Sequence, residues 1–422
     1  MSESRRVVPA GSPARLKWML LLAAIPLTCL AGFVAWPIWA NLLGLGIGDG
    51  WFIDLYALLA AAEAHAQGLD IHALNPLDLY GRPHSYSSWW LVLSDLGLTR
   101  SDTRWLGVSI LAVFFALAVG TIRPATSRAC WFSAVLLASP AVQLALVRAN
   151  NDLVIFIVLA ALVPCLCSPR PVARMGAVAA VALAIGLKYY PAVALLLLLH
   201  EDSPRLFVWR IVLGLLFCTL VMFGVYEDTL YFASTLPAPA VLYSFGASAG
   251  LAYLHFGPGV KWSALAMVIT LGGVAALKAG PGSRRATREE LYFVLGAVLI
   301  SACFWATMNW AYRWVFSLWF LPLLLGPQVN SNLVADWQRR MLRWLLPIAM
   351  WWDGLVSLFW NLGLGGHFGA SLDRYSEVGW LSVQPVHWAV ATLLSLTCVR
   401  FAFAEMHWLC RRLKGAALAP AV

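Results

Sequence analysis

Charge is scarce in this chain. Only 12% of its 422 residues are Asp, Glu, Lys or Arg, and 61% are hydrophobic. A soluble domain has about a quarter charged residues and about half apolar ones, so an ordinary soluble fold is excluded. No Gly-rich phosphate cradle and no Asp-x-Asp occurs, so neither of the usual sequence devices for holding a nucleotide with a metal is present. No repeat of fixed period and no soluble domain stands out. The eight cysteines all lie in or beside apolar runs. Cys165 and Cys167 are too close for an ordinary disulfide and no His stands near them to suggest zinc, so the cysteines read as small apolar fillers. No metal or other cofactor is expected.

What the chain has is a succession of apolar runs. A helical span needs roughly 20 such residues. Twelve candidates follow: about 17–40, 105–122, 129–147, 152–168, 173–187, 190–200, 208–226, 262–279, 291–308, 314–327, 344–362 and 385–404, the fifth and sixth being equally one helix kinked at Pro191. The first run lacks a small-residue cleavage site and leads into more membrane, which reads as a retained span. The expected architecture is an all-α polytopic membrane protein, one integral-membrane domain over 1–422.

The formal net charge of +9 tests this arrangement. With the N-terminus in the cytoplasm and alternating spans, most of the 29 basic residues fall in inner segments, as the positive-inside rule requires. The basic excess is therefore topological and not a nucleic-acid footprint. Both termini are expected inside a cytoplasmic membrane. Two long loops are expected outside, 43–104 and 227–261. The first collects the acids Asp49, Asp54, Glu63, Asp70, Asp78, Asp95 and Asp102.

Three short outer turns carry bases on the side where bases are disfavoured. They read "RANND" (Arg148, Asn150, Asn151, Asp152), "KYYP" (Lys188, Tyr189, Tyr190) and "NWAYR" (Asn309, Tyr312, Arg313). Taken singly, each is explained by helix caps and interfacial aromatics. Taken together and facing an acidic loop, Arg148, Lys188 and Arg313 form a candidate phosphate site beside a general base. Some of these cations also serve, on a second reading, as structural partners for Asp152 or Asp353. At 3.6 residues per turn, segment 52–66 places Asp54, Leu58, Ala61 and His65 on one face, and Phe52, Leu55, Leu59 and Ala62 on a more apolar one. A helix lying at the outer interface with its apolar side in lipid is expected there. Asp54 equally suits the helix dipole, His65 a polar interface position, and Asp49 a loop acid or cap. Asp353, inside the apolar "AMWWDGLVSLFW", marks a functional carboxylate with a cationic partner, or an ion pair or capped break at Gly354. His367, Asp373 and Arg374 are candidates for an acceptor entrance.

Four stretches bear a family likeness: "DLYALLAAAEAHAQG" (Asp54 to Gly68), "RANNDLVIFIVLA", "LKYYPAVALLLLL" and "NWAYRWVFSLWFLPLL". In order and approximate spacing the chain resembles the polyprenyl-phosphate-dependent glycosyltransferases of the GT-C fold. The match is to the GT87 branch, which includes the mycobacterial phosphatidylinositol-mannoside α-1,2-mannosyltransferases. The resemblance implies a bundle of about twelve helices whose first outer loop carries a catalytic Asp. Asp54 matches that base by its spacing to Tyr56 and Gly68, with Asp49 as the second choice. The family's Pro-Pro stretch is missing from "GLDIHALNPLDLYGRPHSYSSWW", which bears on acceptor specificity.

The resemblance further implies a donor sugar, mannose first, on polyprenyl phosphate, and a glycolipid or glycan acceptor at the outer face. In that reading Asp54 takes a proton from the acceptor hydroxyl and the anomeric configuration inverts. Arg148, Lys188 and Arg313 meet the leaving phosphate, and Asn150, Asn151, Asp152, Tyr189, Asn309, Tyr312 and His65 meet sugar or acceptor. The partners are thus the lipid-linked sugar, the acceptor and membrane lipids. A lipid-linked polysaccharide polymerase or ligase and a transporter are the rival readings.

Overall fold

The structure is a computed structural model. It describes residues 13–35, 37–45, 50–201, 203–228, 230, 242–279, 285–306, 309–326, 331–363 and 372–418.

The chain is an α-helical membrane protein. Among the described residues six helices are long and apolar enough to cross a bilayer: Ala14–Phe33, Arg100–Ile122, Pro204–Gly224, Pro258–Lys278, Arg288–Ala306 and Glu377–Arg411. A seventh span results if Ser127–Leu137 and Pro140–Arg148, bent by 57°, count as one. The bend has a local cause. Ser139 caps the second half through its hydroxyl, and Pro140 at the first helical position lacks the N–H that would continue the first half.

Seven of the twelve expected spans fall on these elements. The other five lie on segments that are shorter or less apolar. Asn151–Leu166, Pro171–Leu187, Tyr190–Leu199 and Ala311–Leu325 have 10 to 17 residues, and much of the last two is 3₁₀ helix. At a rise of roughly 1.5 to 2 Å per residue, the shortest of these reach about 20 Å against the 30 Å of a hydrocarbon core. By length they fall short of the 18 residues that mark the six long apolar helices.

Burial separates the bundle's centre from its rim. In Arg288–Ala306, 78% of the apolar window is buried, against 22% in Pro204–Gly224 and Pro258–Lys278. The rim helices expose Trp209, Leu215, Leu216, Trp262 and Leu271, which lipid tails solvate at no cost. At the centre Phe156 stacks on Trp319 at 4.3 Å and meets Phe114 at 4.9 Å.

The elements that position the site are α1 (Pro13–Ala35), α2 (Pro37–Leu42), α3 (Ile53–Ala66), α4 (Thr103–Ile122), α5 (Ser127–Leu137), α6 (Pro140–Arg148), α7 (Asn151–Ala160), α8 (Leu162–Leu166) and α9 (Pro171–Leu187). After α9 comes the 3₁₀ segment Tyr190–Leu199, and β2 (Asn309–Trp310) leads into the 3₁₀ segment Ala311–Phe320. β2 pairs antiparallel with β1 (Ser244–Phe245), in register Ser244 to Trp310 and Phe245 to Asn309.

The segment 52–66 is helical as expected, but it does not float in lipid. Both of its faces are buried in protein, from Ile53 through Ala62 with few breaks. The 3₁₀ segment Ser88–Leu93 folds over it and plugs the end of α9. A Cβ on Gly186 would come within 2.1 Å of the Trp89 ring, and Trp90 Nε1 donates to the Leu187 carbonyl at 3.0 Å. The Phe52 ring likewise occupies the space that Gly107 leaves open on α4, while its N–H donates to the Val147 carbonyl at 2.8 Å. Those contacts lock α3 against the ends of α4, α6 and α9.

Candidate active site

Asp54 stands in the first turn of α3, 5% exposed. Arg148 at the end of α6 grips it side-on, Nη2 to Oδ1 at 2.7 Å and Nε to Oδ2 at 3.0 Å. This is the bidentate geometry that a planar guanidinium favours. Asn150 Nδ2 donates to Oδ2 at 2.6 Å, and Arg82 Nη1 stands 3.7 Å from Oδ1. Arg148 and Asn150 reach one carboxylate because Ala149 between them is left-handed, with φ 43°. The conformation costs about 1–2 kcal/mol for a residue with a Cβ, and the shared grip on Asp54 offsets it.

Asn150 also starts the next element. Its Oδ1 accepts the Asp152 N–H at 2.9 Å, an N-cap of α7. Asp152 is completely buried. Its Oδ1 accepts from the Lys188 ammonium and, at 2.9 Å, from the Tyr190 hydroxyl, and Arg313 Nε lies 3.5 Å from Oδ2. The rings of Tyr86, Tyr190 and Tyr312 surround the Lys188 ammonium at 5.7, 5.7 and 5.9 Å, within cation–π reach. Arg313 lies 4.8 Å over Tyr190.

A third carboxylate completes the set. Asp78 receives Arg82 Nε at 2.9 Å and Nη2 at 2.8 Å, and the same Nη2 donates to the Ile53 carbonyl at 3.0 Å. Burial alone would raise the Asp78 carboxyl, but the bonds and charge of Arg82 outweigh it and hold it below the usual range. Among the described residues four cations (Arg82, Arg148, Lys188, Arg313) thus face three carboxylates (Asp54, Asp78, Asp152). Their accessibility differs. The side chains of Arg82 and Arg148 are 32% and 30% exposed, and those of Arg313 and Lys188 only 16% and 9%. Arg82 and Arg148 are thus the more open pair, held by Asp78 and Asp54, and Lys188 and Arg313 the more buried pair, held by Asp152.

Of the expected site residues, Asp54, Arg148, Asn150, Asp152, Lys188, Tyr312 and Arg313 are brought together. Asn151 is buried beside them, and neither of its amide atoms has a partner among the described residues. Tyr189 is exposed next to Lys188. Asn309 points into the bundle, where its amide nitrogen donates to the Cys303 carbonyl. His65 is exposed on the last turn of α3. Eleven residues of helix separate it from Asp54, roughly 16 Å, which removes it from the cluster although the two share a helical face. Asp49 and His367 lie outside the described residues, as do the side chains of Asp373 and Arg374.

Arg82 and Tyr86 join the cluster without having been singled out, and Asp78 and Tyr190, noted only as a loop acid and a turn residue, join it too. The Asp78–Arg82 spacing in "DLYGRPHSY" was the one available signal, and it lies in a loop without helical or strand period. Among the described residues no group of three or more His, Cys, Asp or Glu is placed to hold a metal ion. Comparison of the chain with protein-family models, with curated proteins and with solved structures finds no match.

Proposed function

We propose that the chain is a membrane glycosyltransferase. It transfers a hexose, mannose first, from a polyprenyl-phosphate donor to a hydroxyl of a glycolipid or glycan acceptor, at the outer face of the cytoplasmic membrane. The observation that supports this most is Asp54 itself, an oriented carboxylate at the end of an apolar bundle with two reachable arginines against it.

Three close donors occupy Asp54. A carboxylate offers about four acceptor positions, which leaves one for an incoming hydroxyl. In the reaction Asp54 accepts the hydroxyl proton while the oxygen forms its bond to the anomeric carbon. The bond from that carbon to the phosphate oxygen breaks, and its electron pair leaves with the polyprenyl phosphate. Attack from the face opposite the leaving group inverts the configuration. Arg82 and Arg148 stabilise the phosphate charge through charge-assisted hydrogen bonds. The lipid tail stays in the bilayer, which suits a site at one end of the helices. Lys188, Arg313 and Asp152 build the wall that carries Tyr86, Tyr190 and Tyr312 as hydrogen-bonding and stacking groups for the sugar.

The test is transfer itself. Protein in nanodiscs is given radiolabelled polyprenyl-phosphate mannose and a host lipid extract. Label in a new glycolipid supports the reading. If neither this donor nor other polyprenyl-phosphate sugars are consumed, the reading is wrong and transport is tested next.

A further inference from the structure

A cavity of about 400 Å³ opens at the end of the bundle away from Asp54. Its place follows from α4. Gly107, which receives the Phe52 ring beside the site, and Ile122, which lines the cavity, are roughly 22 Å apart along this helix. Three of the long apolar helices have an end here: Ala14–Phe33 begins, Arg100–Ile122 stops and Arg288–Ala306 begins. A helix that crosses the hydrocarbon core ends among lipid headgroups, which sets the cavity at headgroup depth.

Its lining combines the guanidinium groups of Arg15, Arg123 and Arg288 and the carboxylate of Glu289 with the apolar Ile122, Leu321 and Leu325. Arg123 and Arg288 are exposed. Neither forms an ion pair among the described residues. Arg123 Nε donates to the Gly120 carbonyl of its own helix at 2.5 Å, which leaves its terminal N–H groups open. Arg288 lies 5.8 Å over the Tyr292 ring. Other arginines at this end are neutralised. Arg174, in the first turn of α9 and so far from Lys188 at its other end, is held by Glu201, as is Arg210, and Arg285 is held by Glu405. The excess of positive charge therefore belongs to the cavity. Arg123 is also the C-cap of α4 and left-handed, with φ 42°. Glycine is the usual residue there, because a Cβ is strained in that conformation. An arginine at that position lowers stability and supplies a guanidinium to the cavity.

We propose that this cavity binds the phosphate of an anionic phospholipid. Arg123 and Arg288, with Arg15 beside them, take the phosphate through charge-assisted hydrogen bonds. Ile122, Leu321 and Leu325 meet the glycerol and the first carbons of the acyl chains. Basic pockets between membrane helices recognise anionic headgroups in this way. The apolar lining and the depth favour phosphate carried by a lipid over the free ion. The site is separate from the Asp54 cluster and does not rest on the glycosyltransferase reading.

The experiment is native mass spectrometry of the full chain purified in detergent, titrated with phosphatidylglycerol, phosphatidylcholine or inorganic phosphate. Wild type is expected to bind phosphatidylglycerol about tenfold more tightly than phosphatidylcholine, and inorganic phosphate is expected not to displace it. Arg123→Gly suits the left-handed backbone, so it should melt no lower than wild type, while its affinity for phosphatidylglycerol falls about tenfold. Combined with Arg288→Gln, the loss should reach about a hundredfold. Arg340→Gln removes an exposed charge outside the cavity and should change affinity by no more than about twofold. A double variant that binds phosphatidylglycerol like wild type overturns the proposal, as does an equal loss in Arg340→Gln or equal binding of the two lipids. Displacement of phosphatidylglycerol by inorganic phosphate at comparable concentration assigns the cavity to the free ion and also overturns it. Should Arg123→Gly fail to fold, Arg288→Gln decides alone, and unchanged affinity in that variant overturns the proposal.

Discussion

Asn150 holds Asp54 with its amide nitrogen at 2.6 Å and caps the helix of Asp152 with its amide oxygen at 2.9 Å. One side chain thus registers the carboxylate of the first loop against the buried ion cluster, 96 residues apart from Asp54 in sequence. Asn150→Ser keeps a capping oxygen and loses the bond to Asp54. Its melting temperature should stay near wild type, because cap exchanges among Ser, Asn and Asp cost little. Its transfer rate should fall about 10²-fold from misplacement of the base. Equal rates for the variant and wild type, measured at saturating donor, would contradict this role.

The Asp152 cluster should matter for folding more than an exposed pair does. Lys188 and Asp152 have side chains only 9% and 0% exposed. Lys188→Met leaves a buried carboxylate short of a cation and should cost about 3–5 kcal/mol. Arg100→Met, at the Glu63 pair with 33% and 21% exposure, should cost about 1 kcal/mol or less. Unfolding in mild detergent followed by tryptophan emission gives both values. Adding Asp152→Asn to Lys188→Met should recover part of the loss.

In the proposed reaction the more exposed Arg82 and Arg148 meet the donor phosphate. Arg82→Gln should raise the donor KM roughly 10–100-fold, the worth of a charge-assisted hydrogen bond, with the acceptor KM unchanged. Arg148→Gln should also lower kcat, since Arg148 orients Asp54. Initial rates at varied donor separate the two. An Arg82→Gln enzyme with unchanged donor KM would return the phosphate to Lys188 and Arg313.

Acid should loosen the segment 69–99 through His84. Burial is the main cause that pushes its imidazole down to about 4 from 6.5, with His72 and His65 adding to the effect and Ser87 and Asp228 opposing it. The folded pKa is depressed, so the unfolded chain binds the proton more readily. The stabilisation is complete above 6.5 and is lost as pH falls toward 4, roughly 3 kcal/mol in all. The Asp78 carboxyl, held low against its burial by Arg82, has the same sign and is lost at still lower pH. Thermal melting between pH 7 and 4 should show the decline, and His84→Gln should flatten it. An unchanged slope in His84→Gln would assign the decline elsewhere.

The three turns were legible in the sequence because each puts a charge where a membrane protein tolerates few, and each lies at a chain reversal. Their convergence with Asp54 follows from the short connections between α6 and α7 and between α9 and its 3₁₀ extension. Arg82 was not legible, since nothing periodic in residues 69–99 says which way its guanidinium turns. The burial of α3 was hidden because its cover, Trp89 and Trp90, comes from an irregular segment. Twelve apolar runs were legible in the sequence, and among the described residues six or seven of them form helices long and apolar enough to cross a membrane, the others being shorter, bent or less apolar. Asp353 was visible as an anomaly, and among the described residues no cation stands beside it.

The most direct measurement compares sugar transfer from polyprenyl-phosphate mannose by wild type and Asp54→Asn, with Asp49→Asn beside them. Loss of a general base predicts a fall of about 10²–10⁴-fold in Asp54→Asn with donor binding retained, and transfer by Asp49→Asn near wild type. Full transfer by Asp54→Asn, or loss confined to Asp49→Asn, would contradict the assignment of Asp54 as the base.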